Sequence, residues 1–290
     1  ASVVEVIARC NQLGTRLVAG GPLFAIEHEE FTGVDHFVLG EAEVILPVFL
    51  ADVANGCAKP LYRANASPDI RQTPLPLWSL LDMKQYSSMS IQYSRGCPFD
   101  CDFCDVTVLY GHNPRTKTSN QMVNELDALR HHGWRGPIFL VDDNFVGNKK
   151  KLKAEILPTI LEWSQRGKYP FFFSTQASIN LADDEELMRL MVETNFKKVF
   201  IGIETPNEDS LTECNKQQNK GRNLVESVKK IHNYGLEVQG GFIVGFDNDP
   251  ISIFRSQINF IQQSGIVTAM VGLLNAPRGT QLYKRLKQEN

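Results

Sequence analysis

The apolar positions change period along the chain, and the changes divide it. Val3, Val4, Ile7 and Ala8 recur at helical spacing, and Gly14 is placed to end that helix. Residues 16–19 predict a short strand that runs into Gly20-Gly21-Pro22, and residues 35–39 predict the next. Gly40-Glu41 then opens a helix that runs to about Gly56. Two such strand–helix steps cannot cover both faces of a sheet, so the segment reads as the back half of a doubly wound domain with a raw edge. From Cys57 to about Ser88 no period is sustained, and Pro60, Pro68, Pro74 and Pro76 punctuate a linker. Leu77, Trp78, Leu80 and Leu81 are its expected docking anchors. From Met89 onward strands and helices alternate. The strands fall at residues 90–94, 138–141, 171–175, 199–203, 238–244 and 268–274, and the helices at 122–131, 152–166, 184–193, 224–234, 253–263 and 281–287. Asp183 is an expected N-cap, and Gly235 and Gly265 are expected stops. Strands rich in Val, Ile and Phe between helices imply a parallel sheet buried on both faces. Six units are two short of a closed eight-stranded barrel, so the fold class is α/β with an open barrel whose site lies at the carboxyl ends of the strands.

Composition narrows the function. At 290 residues with 42% hydrophobic and 22% charged positions, the chain is an ordinary globular protein, not a disordered or collagen-like one. Thirty basic against 33 acidic residues give a net charge of −3, so no field draws nucleic acid or anionic lipid, and no nucleic-acid partner is expected. Residues 44–51 form the longest apolar run, interrupted by Pro47 and too short for a membrane helix. Ala1 leads straight into an amphipathic pattern, so no signal peptide is expected; the sequence reads as an excerpt beginning inside a domain. Of six cysteines, Cys10, Cys57 and Cys214 are scattered, whereas Cys97, Cys101 and Cys104 crowd together. Such crowding points to a metal or redox site in a reducing compartment, hence the cytoplasm.

The crowded segment is Gly96-Cys97-Pro98-Phe99-Asp100-Cys101-Asp102-Phe103-Cys104, directly after the first barrel strand. Thiolates are the usual ligands of iron–sulfur clusters, and a fully ligated cubane needs four. Three leave one iron open, which is what separates a reactive centre from a structural one. Zinc held by the three cysteines and His112 is the rival, but structural zinc sites favour two C-x2-C-like pairs and only half of this motif fits. Three buried apolar cysteines are hard to reconcile with Asp100 and Asp102 between them. The iron–sulfur reading is favoured.

C-x3-C-x2-C with an aromatic residue before the third cysteine, on the first loop of a six-unit barrel, resembles the radical S-adenosylmethionine (SAM) superfamily. The likeness runs from Met89 almost to the C-terminus. Tyr110-Gly111-His112-Asn113-Pro114-Arg115-Thr116-Lys117, Val141-Asp142-Asp143-Asn144-Phe145, Phe200-Ile201-Gly202-Ile203-Glu204-Thr205-Pro206, Gly241-Phe242-Ile243-Val244-Gly245-Phe246-Asp247 and Leu274-Asn275-Ala276-Pro277-Arg278-Gly279-Thr280 are similar to its cobalamin-linked branch, nearest the group containing hopanoid C-2 methylases. The resemblance implies an architecture of three parts. Residues 1–56 would be the C-terminal part of a flavodoxin-like (Rossmann-like) cobalamin-binding domain, 57–88 the linker, and 89–290 an open (β/α)6 partial TIM barrel.

The same resemblance implies that Cys97, Cys101 and Cys104 hold a 4Fe-4S cluster whose remaining iron is chelated by SAM, and that reductive cleavage of SAM yields a 5′-deoxyadenosyl radical. Asp142, Asp143 and Asn144 stand where the superfamily commonly carries Gly-Gly-Glu, which contacts the methionine amino group; a strand end capping the next helix is the plainer alternative. Glu204 is expected at the ribose hydroxyls, with a salt bridge to Lys197 or Lys198 as its alternative. Gln176 and Ser174 are expected to touch the ribose or carboxylate. Gly241 and Gly245, with Asn275 and Ala276, are expected at the adenine, near Phe103; barrel closure is the alternative for Gly245, only slightly less favoured, and core packing the alternative for Phe103. The histidines carry no ligand spacing, and the Asp-x-His-x-x-Gly loop of some cobalamin domains is absent, so neither His28 nor His36 is expected as a ligand. The implied reaction is cobalamin-dependent methylation of an unactivated carbon in a small molecule or lipid, a hopanoid being the leading guess. A flavodoxin- or ferredoxin-type protein would supply electrons, and a lipid substrate would bring peripheral membrane contact. A cobalamin-independent radical SAM enzyme and a non-enzymatic iron–sulfur or zinc scaffold are the rival readings.

Overall fold

The computed structural model describes residues 2–64 and 66–289; Ala1, Asn65 and Asn290, and the predicted features that reach them, lie outside these. The chain divides into two compact units. The first runs to Thr73 and takes in Val108–Tyr110; the second comprises Pro74–Thr107 and the chain from Gly111 onward.

The first unit begins with helix Val3–Gln12, held at its start by a capping box in which Ser2 and Glu5 satisfy each other's backbone N–H groups. Strands β1 (Val18–Gly20), β2 (His36–Leu39) and β3 (Leu61–Arg63) form a parallel sheet in chain order. Helix Ala42–Ala54 follows β2, and a short helix, Pro22–Glu27, lies between β1 and β2. That short helix and β3 are additions to the predicted elements. Pro22 presets the first helical turn, and β3 is a three-residue strand inside the stretch expected to be linker. The small core is Val38, Phe49 and Tyr62, and the Tyr62 hydroxyl donates to Asp52 at 2.7 Å. His28 packs edge-on to Phe37, and Nδ1 of His36 lies 2.7 Å from the Lys59 carbonyl.

The second unit contains β4 (Met89–Ile91), β5 (Ser94–Arg95), β6 (Arg115–Thr116), β7 (Ile138–Leu140), β8 (Phe173–Ala177), β9 (Phe196–Glu204), β10 (Glu237–Val244) and β11 (Thr268–Leu273). β5 and β6 make a small antiparallel pair. The other six strands form one parallel sheet in the order β4-β7-β8-β9-β10-β11, which is chain order. Among the described residues β4 and β11 each have one neighbour, so the sheet does not close on itself. Each predicted strand is present within a few residues. The core runs between sheet and helices, with the Phe196 ring set between those of Phe145 and Phe173, tilted against each at 5.3 Å between centroids.

The longer helices of this unit are Ser119–His131, Leu157–Arg166, Glu185–Glu193, Leu224–Asn233, Ile253–Ser264 and Gln281–Glu289, and a short one is Glu208–Glu213. A π-helical segment, Leu152–Ile156, precedes Leu157–Arg166. Pro158, which has no N–H to give, follows that widened turn. One predicted cap shifts by a residue: Asp184 accepts from the Leu187 N–H, while Asp183 grips Arg222 through two 3.0 Å hydrogen bonds. Of the expected anchors, Trp78 and Leu81 reach the core, but Leu77 and Leu80 stay exposed because they sit on the outer side of a 3-10 turn. No described helix is long and apolar enough to cross a membrane.

Candidate functional site

The three-cysteine loop begins directly after β5. Gly96 precedes Cys97 with φ of +98°, a conformation that side chains resist, so glycine is what lets the loop turn there. The loop is then pinned from several elements. Asp102 N–H donates to the Cys214 carbonyl at 3.0 Å, Asn215 Nδ2 to the Asp100 carbonyl at 2.7 Å, and Leu282 N–H to the Asp102 carbonyl at 2.9 Å. Cys104 N–H bonds the Cys101 carbonyl in a tight turn that brings both thiols to one side. Cys97, Cys101 and Cys104 line a single cleft of about 200 Å³, open to solvent, at the carboxyl ends of the central strands.

The cleft gathers many of the expected residues. Phe103, Asp143, Asn144, Gln176 and Glu204 share its wall with the cysteines. Burial pushes the Asp143 carboxyl above the usual carboxylate range, reinforced by the neighbouring Asp105. Asn144 is buried between two partners: its Nδ2 lies 3.8 Å from the Cys97 sulfur, and its Oδ1 accepts from Ser178 N–H at 3.1 Å and Oγ at 3.2 Å. It does not cap the following turn with its side chain, which answers the plainer alternative for that residue. Glu204 sits at φ +64°, a strained position for a residue with a Cβ. Its Oε1 accepts from Lys216 Nζ at 2.6 Å, not from the nearby Lys198, which pairs with Glu237.

Asp142 is brought to a different place. It has no exposed surface; Tyr93 N–H, Ser94 N–H and Ser94 Oγ all donate to its carboxylate. It therefore fastens the end of β7 to the stem of the cysteine loop and faces away from the cleft. Burial pushes its carboxyl up to about 7 against those donors. The wall of the cleft does not include Gly241, Gly245, Asn275 or Ala276. Gly241 lies against Phe200, whose ring would stand 2.7 Å from an added Cβ. Gly245, at φ +105°, donates its N–H to Asp249. Asn275 is exposed. Ser174 faces a second hollow of about 460 Å³ together with Lys198, Gln239 and Met270; Gln176 and Phe200 border both.

Two important residues carry no signal in the periodicity. Lys216 and Gln218 come from the irregular stretch after helix Glu208–Glu213 and line the cleft. Burial opposes the charge of Lys216, but Glu204 and the adjacent cysteines outweigh it and hold the ammonium above its usual range. The ammonium also lies 5.9 Å from the Phe103 ring centroid, within cation–π range. Gln218 Nε2 stands 3.6 Å from the Cys101 sulfur.

The donor set fits an iron–sulfur cluster. Burial raises all three thiols, Cys104 to about 11, so ligation must displace their protons. Among the described residues no three His, Cys, Asp or Glu side chains converge tightly enough for a single metal ion. A cubane takes its thiolates at separate irons and so spaces them more widely. His112, the fourth ligand of the zinc alternative, is exposed and lies 4.0 Å from Asp100.

Comparison with known proteins agrees with this geometry. The Radical SAM superfamily model matches residues 91–261, more than half of the chain. An uncharacterized methyltransferase of Synechocystis sp. is 44% identical over 290 residues, covering 99% of this chain and 54% of its own. The hopanoid C-2 methylase of Rhodopseudomonas palustris is 33% identical over 289 residues, covering 98% and 55%. The chain thus spans about half the length of these curated relatives. In fold it is similar to TsrM from Kitasatospora setae, a radical SAM methyltransferase solved with cobalamin and a [4Fe-4S] cluster bound. The TM-score is 0.79 at 15% identity, over 98% of this chain and 60% of that one. The chain belongs to the radical SAM superfamily.

Proposed function

We propose that Cys97, Cys101 and Cys104 hold a 4Fe-4S cluster, that SAM occupies the cleft beside it, and that the protein is a cobalamin-dependent C-methyltransferase. The observation that carries this reading is the convergence of three thiols with a buried Lys216–Glu204 pair and the carboxylate of Asp143 on one cleft. The cluster with SAM supplies a 5′-deoxyadenosyl radical able to take hydrogen from an unactivated carbon. The chain's own residues bind and orient. Lys216 is the cation available to a carboxylate, and Asp143 is the acceptor available to an ammonium, so the two together suit an amino-acid end. The second oxygen of Glu204 and the amide of Gln176 suit ribose hydroxyls. Phe103 and Phe200 supply flat apolar surface and limit water at the thiols.

The substrate proposed is a small molecule or lipid of the polycyclic, hopanoid-like kind, in line with the names of the relatives. An electron donor of flavodoxin or ferredoxin type, peripheral membrane contact for a lipid substrate, and a cytoplasmic location belong to the same proposal. The test is anaerobic reconstitution followed by reduction in the presence of SAM, with and without cobalamin. The reading expects about four irons per chain and formation of 5′-deoxyadenosine. Zinc without cleavage would leave a scaffold. Cleavage with a substrate product that cobalamin does not affect would leave a cobalamin-independent enzyme.

A further inference from the structure

Two of the three thiols have a side-chain amide aimed at them. Asn144 Nδ2 lies 3.8 Å from the Cys97 sulfur, and Gln218 Nε2 lies 3.6 Å from the Cys101 sulfur. The orientation of the first is fixed by its other end, because Oδ1 accepts from both the N–H and the hydroxyl of Ser178, which leaves only the NH₂ to face sulfur. The second is buried at the edge of the cleft, and its Oε1 has no partner among the described residues. An amide that leaves its oxygen unsatisfied while its nitrogen meets sulfur is placed for what the nitrogen does. Neither position carries a carboxylate, which would set an acceptor against an ionised sulfur.

We propose that Asn144 and Gln218 are positioning residues that set the reduction potential of the cluster through N–H···S hydrogen bonds to Cys97 and Cys101. The inference rests on reading the three cysteines as cluster ligands. Reduction adds one negative charge to the cluster and its thiolates. A donor bonded to a ligating sulfur stabilises that added charge and raises the potential, as hydrogen bonds to cluster sulfurs generally do. Both donors lie within the buried part of the site, where such bonds are little weakened by water.

The experiment is a redox titration of reconstituted protein without SAM, followed by electron paramagnetic resonance of the reduced cluster. Wild type is compared with Gln218→Met, which keeps the side chain's length and removes the donor, and with Asn144→Leu. Exposed Gln217→Met is the neighbouring control. The proposal expects unchanged iron content in Gln218→Met and a reduced-to-oxidised ratio about tenfold lower at fixed potential. For a one-electron couple that is a negative shift of about 59 mV. Asn144→Leu shifts in the same direction, and Gln217→Met titrates with wild type. A full cluster whose potential matches wild type in both variants overturns the proposal. So does failure of both to load while wild type loads, which would make the amides assembly residues. Failure of wild type itself to take up iron removes the ligand assignment and this inference with it.

Discussion

Asp142 and Asn144 stand two positions apart at the end of β7 and serve different structures, one the stem of the cysteine loop and the other the loop's first sulfur. The sequence marks both as polar residues at a strand end; strand alternation would set positions two apart on one face, and it is the turn beginning at Asp143 that separates them. Asp142 gives a pH prediction. Its native carboxyl is raised to about 7, above the unfolded value near 4, so between those values the folded chain keeps a proton that the unfolded chain has released. The stabilisation is complete below about pH 4 and is lost as pH rises through about 7, a change of about 4 kcal/mol at most. Urea unfolding of the metal-free protein across this range, compared with Asp142→Asn, isolates the effect: the difference between the two chains must vary with pH in that direction. Cys101→Ala tests the ligand set, with loss of cluster assembly and a retained circular dichroism spectrum as the expected outcome. The cysteines were legible because their spacing is local. Lys216 and Gln218 were not, because they reach the cleft from an irregular stretch whose placement depends on the whole sheet.

At the scale of elements, two glycines beside the central strands separate backbone need from space. Gly245 follows β10 at φ +105° with only ordinary contacts around an added Cβ, the nearest being Leu274 at 3.8 Å. Gly245→Ala should therefore cost about 1–3 kcal/mol of stability through strain alone and leave SAM binding intact. Gly202, on β9, has no positive φ, but a Cβ there would collide with Glu204 Oε1 and stand 3.1 Å from Lys216 Nζ. Gly202→Ala should drive the pair apart and weaken SAM binding at least about tenfold, a loss of about 1.4 kcal/mol. Thermal melts and SAM titration of the reconstituted variants read both, and the opposite pattern would return Gly245 to the ligand. The long strands could be read from sequence because burial on both faces writes Val, Ile and Phe in runs, as in Phe196–Glu204. β3, the β5–β6 pair and the helices Val106–Tyr110 and Glu208–Glu213 are too short for a period to repeat, so they left no trace.

For the whole molecule, the change from a sparse N-terminal pattern to regular alternation reads as a division of the chain, and the structure has two compact units. The chain-order sheet follows from sequential parallel pairing, which the alternation of strand and helix encodes directly. A substrate leaves no comparable mark, because it is recognised by the shape of a cleft and not by a period. The division makes a thermodynamic prediction. Each unit has its own core, a large one around Phe145, Phe173 and Phe196 and a small one around Val38, Phe49 and Tyr62. Two units with separate cores should melt in two transitions. The cleft proposed for SAM is lined by residues of the larger unit, so SAM should stabilise that unit by about 2.7 kcal/mol at a hundredfold excess over its dissociation constant. For a unit of this size the gain raises its transition by about 5–10 °C. Calorimetry of the reconstituted protein should therefore show one transition moving with SAM and the other, from the smaller unit, holding its temperature. A single transition that moves as a whole would mean that the two cores unfold as one cooperative structure.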